Sequence, residues 1–339
     1  MERRDSGSNG ATPEVVVVTG ASAGVGRATV RELARRGAWV GLLARGVDGL
    51  EAARREVEQA GGRALALPVD VTDAAAVEAA AERVERELGP IDVWVNDAMV
   101  TVLAPFEDLA LEDFRRVTEV NYLGTVYGTL AALRRMRRRD RGTIVQVGSA
   151  LSYRAIPLQS AYCGSKFAVR GFTDALRSEL LHDGSGVHLT MVHLPALNTP
   201  QFSWCKTTLP RQPQPVPPIF QPEVAAEAIC FAAHARRREV WVGLAGVVIA
   251  ANAVAPAALD HYLARHGYAD QQSDQPLPAD HRDNLYHPLP GDHGAHGRFD
   301  DRARERSVEL WLSEHKGALL GAAAGAVLVA ALGAALRRR

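Results

Sequence analysis

Tyr162 and Lys166 stand four residues apart in a stretch, Ala161–Leu181, whose pattern predicts a helix. At that spacing both side chains leave the same helix face. A free phenol has a pKa of about 10 and is a poor acid–base catalyst at neutral pH. An ammonium beside it favours the phenolate. Such a pair can give a proton to a carbonyl oxygen, or take one from an alcohol, as a hydride moves. The pairing is not a compositional habit of this chain. Its 39 basic residues include only three lysines, Lys166, Lys206 and Lys316, and none of the other six tyrosines has a lysine at +4. A slim ammonium at this place is not replaceable by a planar guanidinium. Thirteen residues upstream, Ser149 closes the apolar run Thr143–Val147 and its two following residues. A hydroxyl at the C-terminal end of a strand can donate to an oxygen on which negative charge develops. Taken singly, Ser149 also reads as a turn cap, and Asn121 as a polar residue that bends a helix.

The elements that must hold these groups come from the alternation of short apolar runs with longer amphipathic ones. Val15–Thr19, Trp39–Leu43, Ala64–Val69, Ile91–Val95, Thr143–Val147, Val187–Val192 and Val240–Val242 are the expected strands. Arg27–Arg36, Asp73–Leu88, Leu111–Arg138 and Ala161–Leu181 are expected helices between them. Near-continuous apolar strands spaced by helices predict a doubly wound α/β domain with a parallel sheet, Rossmann-like, over 14–245. Residues 1–13 are polar and lack the apolar core of a secretory signal, so they read as a disordered tail. Residues 246–316 form a C-terminal extension. Within it Gly246–Leu259 is apolar but broken by Asn252 and Pro256, 270–300 reads as an irregular surface segment, and Arg302–His315 as a short amphipathic helix.

Residues 317–336 contain only Gly, Ala, Leu and Val. As a helix they would extend about 30 Å, the thickness of a hydrocarbon core, and we expect a transmembrane anchor there. Gly317, Gly321 and Gly325 would give it a smooth packing groove. The catalytic domain is then expected in the cytoplasm at a membrane; an Ala-rich helix docked on a soluble cytoplasmic domain is the alternative.

Composition excludes other classes. The formal net charge is zero, which argues against a nucleic-acid partner. Cys163, Cys205 and Cys230 form no CxxC pair, so neither a disulfide framework nor a zinc site is expected. Cys163 has no basic neighbour to activate it and reads as packing. His281, His287, His293 and His296 fit no metal-ligand spacing and read as part of a solvated loop, with no metal expected. Arg134–Arg141 reads as the solvated end of a helix, or as a lipid contact if the tail anchors the chain. The proline-dense Leu209–Pro218 reads as extended chain, suited to be a ligand for a proline-binding domain, and Tyr153 as a pocket-lining residue.

Directly after the first strand lies Thr19-Gly20-Ala21-Ser22-Ala23-Gly24-Val25-Gly26, which opens a helix. Glycines let the backbone turn sharply and approach a pyrophosphate, while the helix N-terminus offers free N–H groups. A tight strand–helix connection would use glycine too; the strand before and the helix after favour the phosphate reading. Here the spacing is TGxxxGxG, and the chain resembles the short-chain dehydrogenase/reductase family from about Glu14 to Gly243. The resemblance implies a nicotinamide nucleotide held by Thr19, Gly20, Ser22, Gly24, Val25 and Gly26. It also implies that Asp70 and Val71 meet the adenine, and that Asn96 and Ala98 support the cofactor. Pro195 and Thr199 would lie at the nicotinamide, with Thr199 on its carboxamide. Asn121 would hold a water in a proton relay to Lys166, completing a set of Asn121, Ser149, Tyr162 and Lys166, the last two also touching the cofactor. Three positions depart from the family pattern: Asp97 and Met99 in Asn96-Asp97-Ala98-Met99, and Ala196 where a glycine is usual. The resemblance further implies a homo-dimer or tetramer formed through the long helices after strands four and five. It also favours a lid or pocket wall at Leu209–Pro218 over a ligand for a proline-binding domain.

The end of the second strand decides the nucleotide. An acid there would accept from a ribose 2′-OH, but Leu43-Ala44-Arg45 has none. Unless it is merely solvated, the Arg45 guanidinium suits a 2′-phosphate, which favours NADP(H) over NAD(H). The expected activity is an NADP(H)-dependent interconversion of a carbonyl and a secondary alcohol on an apolar substrate. The alternative is a nucleotide-binding membrane scaffold or redox sensor with little turnover, kept open by the three departures.

Overall fold

The computed structural model describes residues 12–316. Seven parallel strands form the central sheet: β1 Val15–Thr19, β2 Trp39–Ala44, β3 Ala64–Pro68, β4 Val93–Asn96, β5 Gly142–Ser149, β6 Val187–Leu194 and β7 Glu239–Trp241. Their spatial order is β3-β2-β1-β4-β5-β6-β7. All seven expected strands are present, shifted by at most a few residues. Strands such as Val15-Val-Val-Val-Thr19 are buried on both faces, which is why they read as unbroken apolar runs. One face is covered by α1 Gly24–Arg35, α2 Val47–Gln59 and, later in the chain, Pro222–His234; the other by α3 Ala74–Glu87 and the helices that follow it. Chain order reverses between β1 and β4, so the crevice for a ligand opens at the C-terminal ends of these strands.

The continuous helix expected over 111–138 is divided. α4 Leu111–Thr118 passes through a π turn at Glu119–Leu123 into α5 Gly124–Arg139. The wide turn swings Asn121 under the loop after β4, where its Oδ1 accepts from Val100 N (2.8 Å) and its Nδ2 donates to Val100 O (2.9 Å). Single π turns inside α-helices are frequent at functional sites. Helix α6, Ser160–His182, carries Tyr162 and Lys166 in its first two turns.

Beneath the crevice a polar cluster ties strands to helix. Asn96 accepts from Trp94 Nε1 (2.8 Å) and donates to Gln146 (2.9 Å) and Thr129 (3.1 Å), all buried. Asn96 therefore braces the sheet and, contrary to expectation, does not line the cavity. Asn96→Ala is expected to lower stability by about 2 kcal/mol, because Trp94 Nε1 loses its buried acceptor; the midpoint of urea unfolding measures it.

Beyond the sheet, α7 is the short helix Gln201–Trp204 and α8 is Pro222–His234. The apolar stretch after Gly243 becomes α9 Ala245–Val254 and α10 Pro256–His266, bent by 119° at Ala255–Pro256. Among the described residues no single helix is long and apolar enough to cross a membrane. The expected span 317–336 and residues 1–11 of the expected tail 1–13 lie outside them.

Two expectations are corrected here. The arginines of 134–141 are not merely a solvated end: Arg135 is buried, bonds Glu78 (2.8 Å) and lies 3.4 Å from Glu85, while Arg139 donates to Ile91 O (2.6 Å). Residues 270–300 are irregular, yet they are not a surface bystander. Leu285 is fully buried, with Ala295 and Phe299 nearly so. The segment runs back across the sheet's C-terminal edge and donates or accepts at Asn198, Gly24 and Arg45. Its few scattered apolar residues follow no period, so nothing in the pattern announced their burial.

Candidate active site

A cavity of about 630 Å³ lies above the crevice and joins the glycine turn at one end to an apolar chamber at the other. The glycine turn is built for close approach. Gly20 has φ +75°, and a Cβ there would lie 3.0 Å from the backbone of Ala98. A Cβ on Gly26 would fall on the Gly20 carbonyl oxygen. The N-cap residue of α1, Ala23, offers no side-chain cap; in the first turn Gly24 N donates to the Gly294 carbonyl (3.0 Å) and the Gly26 N–H to the Asp97 carboxyl. A helix mouth under a turn that excludes side chains fits a dinucleotide pyrophosphate. Thr19 does not line the cavity. Its hydroxyl accepts from Asp97 N (3.0 Å) and Ala98 N (3.1 Å), stitching β1 to the loop after β4. Gly26 and Asn121 are likewise outside the lining, while Gly20, Ser22, Gly24 and Val25 are in it.

At the ends of β2 and β3 the cavity meets Arg45, Asp70 and Val71. Arg45 is neither solvated nor free. Its guanidinium donates to the carbonyls of Asn284 (2.5 Å), Tyr286 (3.0 Å) and Leu285 (3.1 Å). Burial lowers its pKa, with Asp70 opposing. Asp70 pairs with Arg116 at 2.5 Å. Burial pushes the Asp70 carboxyl up, but the Arg116 and Thr72 hydrogen bonds hold it below its ordinary value. Arg116, on α4, is a residue the sequence did not single out.

The chemical centre lies under the middle of the cavity, where Ser149, Tyr162 and Lys166 share its lining. Lys166 is buried, its ammonium donating to Val147 O (2.7 Å) and lying 5.6 Å from the Tyr162 ring centroid. Burial of Tyr162 pushes its phenol well above the ordinary value, against a hydrogen bond with Ser149 that draws it down. The phenol is thus held protonated. Ser149 Oγ also accepts from Leu151 N (3.1 Å) in a capping turn, so the cap reading is correct as well. Asn121 reaches α6 by donating to Ser165 Oγ (3.1 Å). Thus all four residues of the expected set meet around one helix start, with Asn121 behind it.

Asp97 is buried within the electrostatic reach of Lys166. Burial raises its carboxyl to about 8, opposed by Lys166 and by the Gly26 N–H. Burial lowers Lys166 to about 8, and Asp97 opposes that shift. In Asp97→Asn the upward pull on Lys166 is gone, so the ammonium is lost at lower pH. If the ammonium is the active form, the alkaline limb of the kcat/KM profile is expected to move down by about one unit; an unmoved limb refutes the coupling.

Behind Ser149 lies a second network that the sequence did not reveal. His193 Nδ1 donates to Ser149 O (3.2 Å), and its Nε2 lies 3.4 Å from Glu239 Oε2. Tyr153 donates to the same carboxylate (2.7 Å) and packs edge-on against His193. Burial raises Glu239, but the nearby His193 and the Tyr153 hydrogen bond outweigh it and hold it at about 2. Tyr153 is therefore a brace, not the pocket-lining residue expected. Cys163 is buried, and burial pushes its thiol to about 11, in keeping with packing.

The far chamber is largely apolar, with Arg154, Gln214 and Asp270 also in the lining. Leu244, Val247 and Val248 of the α9 region, Leu259 and Leu263 of α10, and Pro215–Pro218 wall it. The proline segment is fixed, since Arg211–Pro213 pairs with Gln272–Pro276. Pro195 and Thr199 complete the lining between this chamber and the glycine turn. His296, in the extension, is occupied by Glu223 (2.8 Å) and Asp300 (2.9 Å).

Comparison with known proteins agrees with this geometry. The short chain dehydrogenase family model matches residues 14–207. The uncharacterized oxidoreductase YxnA of Bacillus subtilis is 32% identical over 320 residues, 94% of this chain and 89% of that protein. The 3-ketodihydrosphingosine reductase of Bos taurus is 34% identical over 222 residues, 63% of this chain and 66% of that protein. Among solved structures, an alcohol dehydrogenase from the archaeon Thermococcus sibiricus, complexed with 5-hydroxy-NADP, superposes with a TM-score of 0.59 at 30% identity. It covers 67% of this chain and 95% of its own. A short chain dehydrogenase from Mycobacterium paratuberculosis bound to NAD gives 0.59 at 25% identity over the same shares. A family match through the whole glycine-turn half, and a relative of nearly equal extent, place the chain in the short chain dehydrogenase family, as an oxidoreductase.

Proposed function

We propose that the chain interconverts a carbonyl and a secondary alcohol on an apolar substrate, with NADP(H) as the preferred nucleotide. The observation that carries this reading is one cavity with a glycine turn at one end, Tyr162, Ser149 and Lys166 in its middle, and apolar walls beyond. A bound nicotinamide nucleotide supplies or accepts the hydride. Tyr162 gives a proton to the carbonyl oxygen, and Ser149 donates to that oxygen as charge develops on it. Lys166 stabilises the phenolate left behind, and Asn121 supports the proton path to it from behind α6. The preference for NADP(H) rests on the absence of an acid at the end of β2; the guanidinium groups nearby are engaged, Arg45 by the 284–286 carbonyls and Arg116 by Asp70. Thr199 is assigned to the nicotinamide, and Val71 to the adenine.

Activity is tested by following NADPH and NADH absorbance against a panel of ketones and alcohols. Relatives named as 3-ketodihydrosphingosine reductases make that ketone the first to try. Turnover of apolar ketones with NADPH supports the reading. Tight nucleotide binding without turnover of any substrate favours a nucleotide-binding scaffold. We also assign 317–336 as a membrane anchor, on its twenty uncharged apolar residues. The full chain is expected to sediment with vesicles, and a chain ending at His315 to stay in solution. A homo-dimer or tetramer through α4 to α6 accords with the exposed Leu111, Leu130, Phe167 and Leu181 there; light scattering reads the mass.

A further inference from the structure

Residues 284–297 cross the cavity from the ends of β2 and β3 to the mouth of α1, and two kinds of contact hold them. The ends are clamped by burial. Leu285 is fully buried among core side chains, with its carbonyl taking Arg45 and Arg116 (3.2 Å). Ala295 is buried against Ala28 and Ala226, and Gly297 N donates to Asn198 O (3.2 Å). The middle buries no side chain and is held by polar contacts near solvent and by the edge-on packing of His293 on Trp204 (4.7 Å). Gly291 N donates to Asp48 (2.7 Å), and Asp292, 43% exposed, accepts from the buried Arg27 (3.1 Å). Between the clamps the Gly294 carbonyl accepts from Gly24 N (3.0 Å), the first N–H of α1.

Pro288, Leu289, Gly291 and His293 line the same cavity as the glycine turn, so the segment is a wall of it. Gly291 and Gly294 have φ of +96° and +61°, conformations glycine enters and leaves at little cost, and neither is crowded. Fixed ends, a weakly held middle and two glycines make a segment that can lift without unfolding the sheet.

We infer that 284–297 gates the nicotinamide-nucleotide site, with Asp48 and Asp292 as positioning residues that set how fast nucleotide enters and leaves. The inference rests on the reading that this cavity takes a nicotinamide nucleotide. The family match ends at residue 207, well before this segment. A nucleotide under the closed strap cannot leave past it, and a free one cannot enter. Weakening the anchors raises the open fraction, so both rates rise together and affinity stays nearly constant. Loss of a direct nucleotide contact would instead raise the off-rate alone and weaken affinity.

Stopped-flow NADPH fluorescence on the full chain measures both rates, for the wild type and for Asp48→Asn/Asp292→Asn. The expected result is a rise of about fivefold in both, with Kd changed by less than about twofold. Unchanged rates, or a rise in the off-rate alone, overturn the gate. Hydrogen exchange is the second readout: in the wild type, NADPH is expected to protect 287–294 strongly, and no added protection there also overturns it. If the wild type binds neither NADPH nor NADH, the parent reading fails before any variant is compared.

Discussion

Tyr162→Phe is expected to cut kcat by about 10³-fold while leaving NADPH affinity and thermal stability almost unchanged. The phenol shares the middle of the cavity with Ser149, and its proton is available across the neutral range. Its pKa is pushed up by burial, so the phenol stays protonated in the nucleotide-free protein. Ser149 is retained in the variant and still donates to the substrate oxygen, but its hydroxyl cannot replace an acid in the proton-transfer step. The ring keeps its volume, so packing of α6 against β5 is preserved. Steady-state kinetics, with NADPH titration and a melting curve as controls, decide it. Retained turnover would remove the proton-donor role and leave the cavity as a binding site only.

The parts of this site legible in the sequence are those whose signal is local. Glycine spacing after a strand, a lysine one helical turn beyond a tyrosine and a serine at a strand end are each short-range patterns. They lie where α1, α6 and β5 meet the crevice because those elements start or end there. What stayed hidden depends on tertiary contact. Asn121 was named through the family resemblance, but the π turn that places it lay in an unbroken helical pattern, since such a turn leaves no periodic mark over five residues. Arg45 carried the right chemistry for a 2′-phosphate, yet three carbonyls from 240 residues away have taken its donors. Arg116 and the His193–Glu239 pair gain their meaning only from neighbours distant in sequence. The strap at 284–297 is the extreme case. Its prolines, glycines and aspartates read as a solvated loop, and only the fold shows Leu285 and Ala295 buried at its ends.

Lys166→Met and Lys166→Arg together separate charge from fit. In Met the ammonium is absent, the phenolate formed after proton transfer is unsupported, and kcat is expected to fall by about 10²-fold or more. Arginine restores a positive charge, so a purely electrostatic role predicts near-complete rescue. The slot argues otherwise. Lys166 is buried, with its ammonium committed to Val147 O at 2.7 Å and Asp97 close enough to influence it. A guanidinium brings five donors and a wider plane into a space that offers one mapped acceptor, and its unmet N–H groups would be buried. Lys166→Arg is therefore expected to remain within about tenfold of the Met variant in kcat. Their pH profiles sharpen the distinction. Burial lowers Lys166 to about 8, so the wild type loses the ammonium as pH rises through that value. A guanidinium stays charged throughout, and the alkaline limb near pH 8 is expected to vanish in the Arg variant even though its rate is low. Full rescue of kcat by arginine would show that charge alone suffices; a limb that persists near pH 8 would assign that titration to a group other than Lys166, with Asp97 the first to examine.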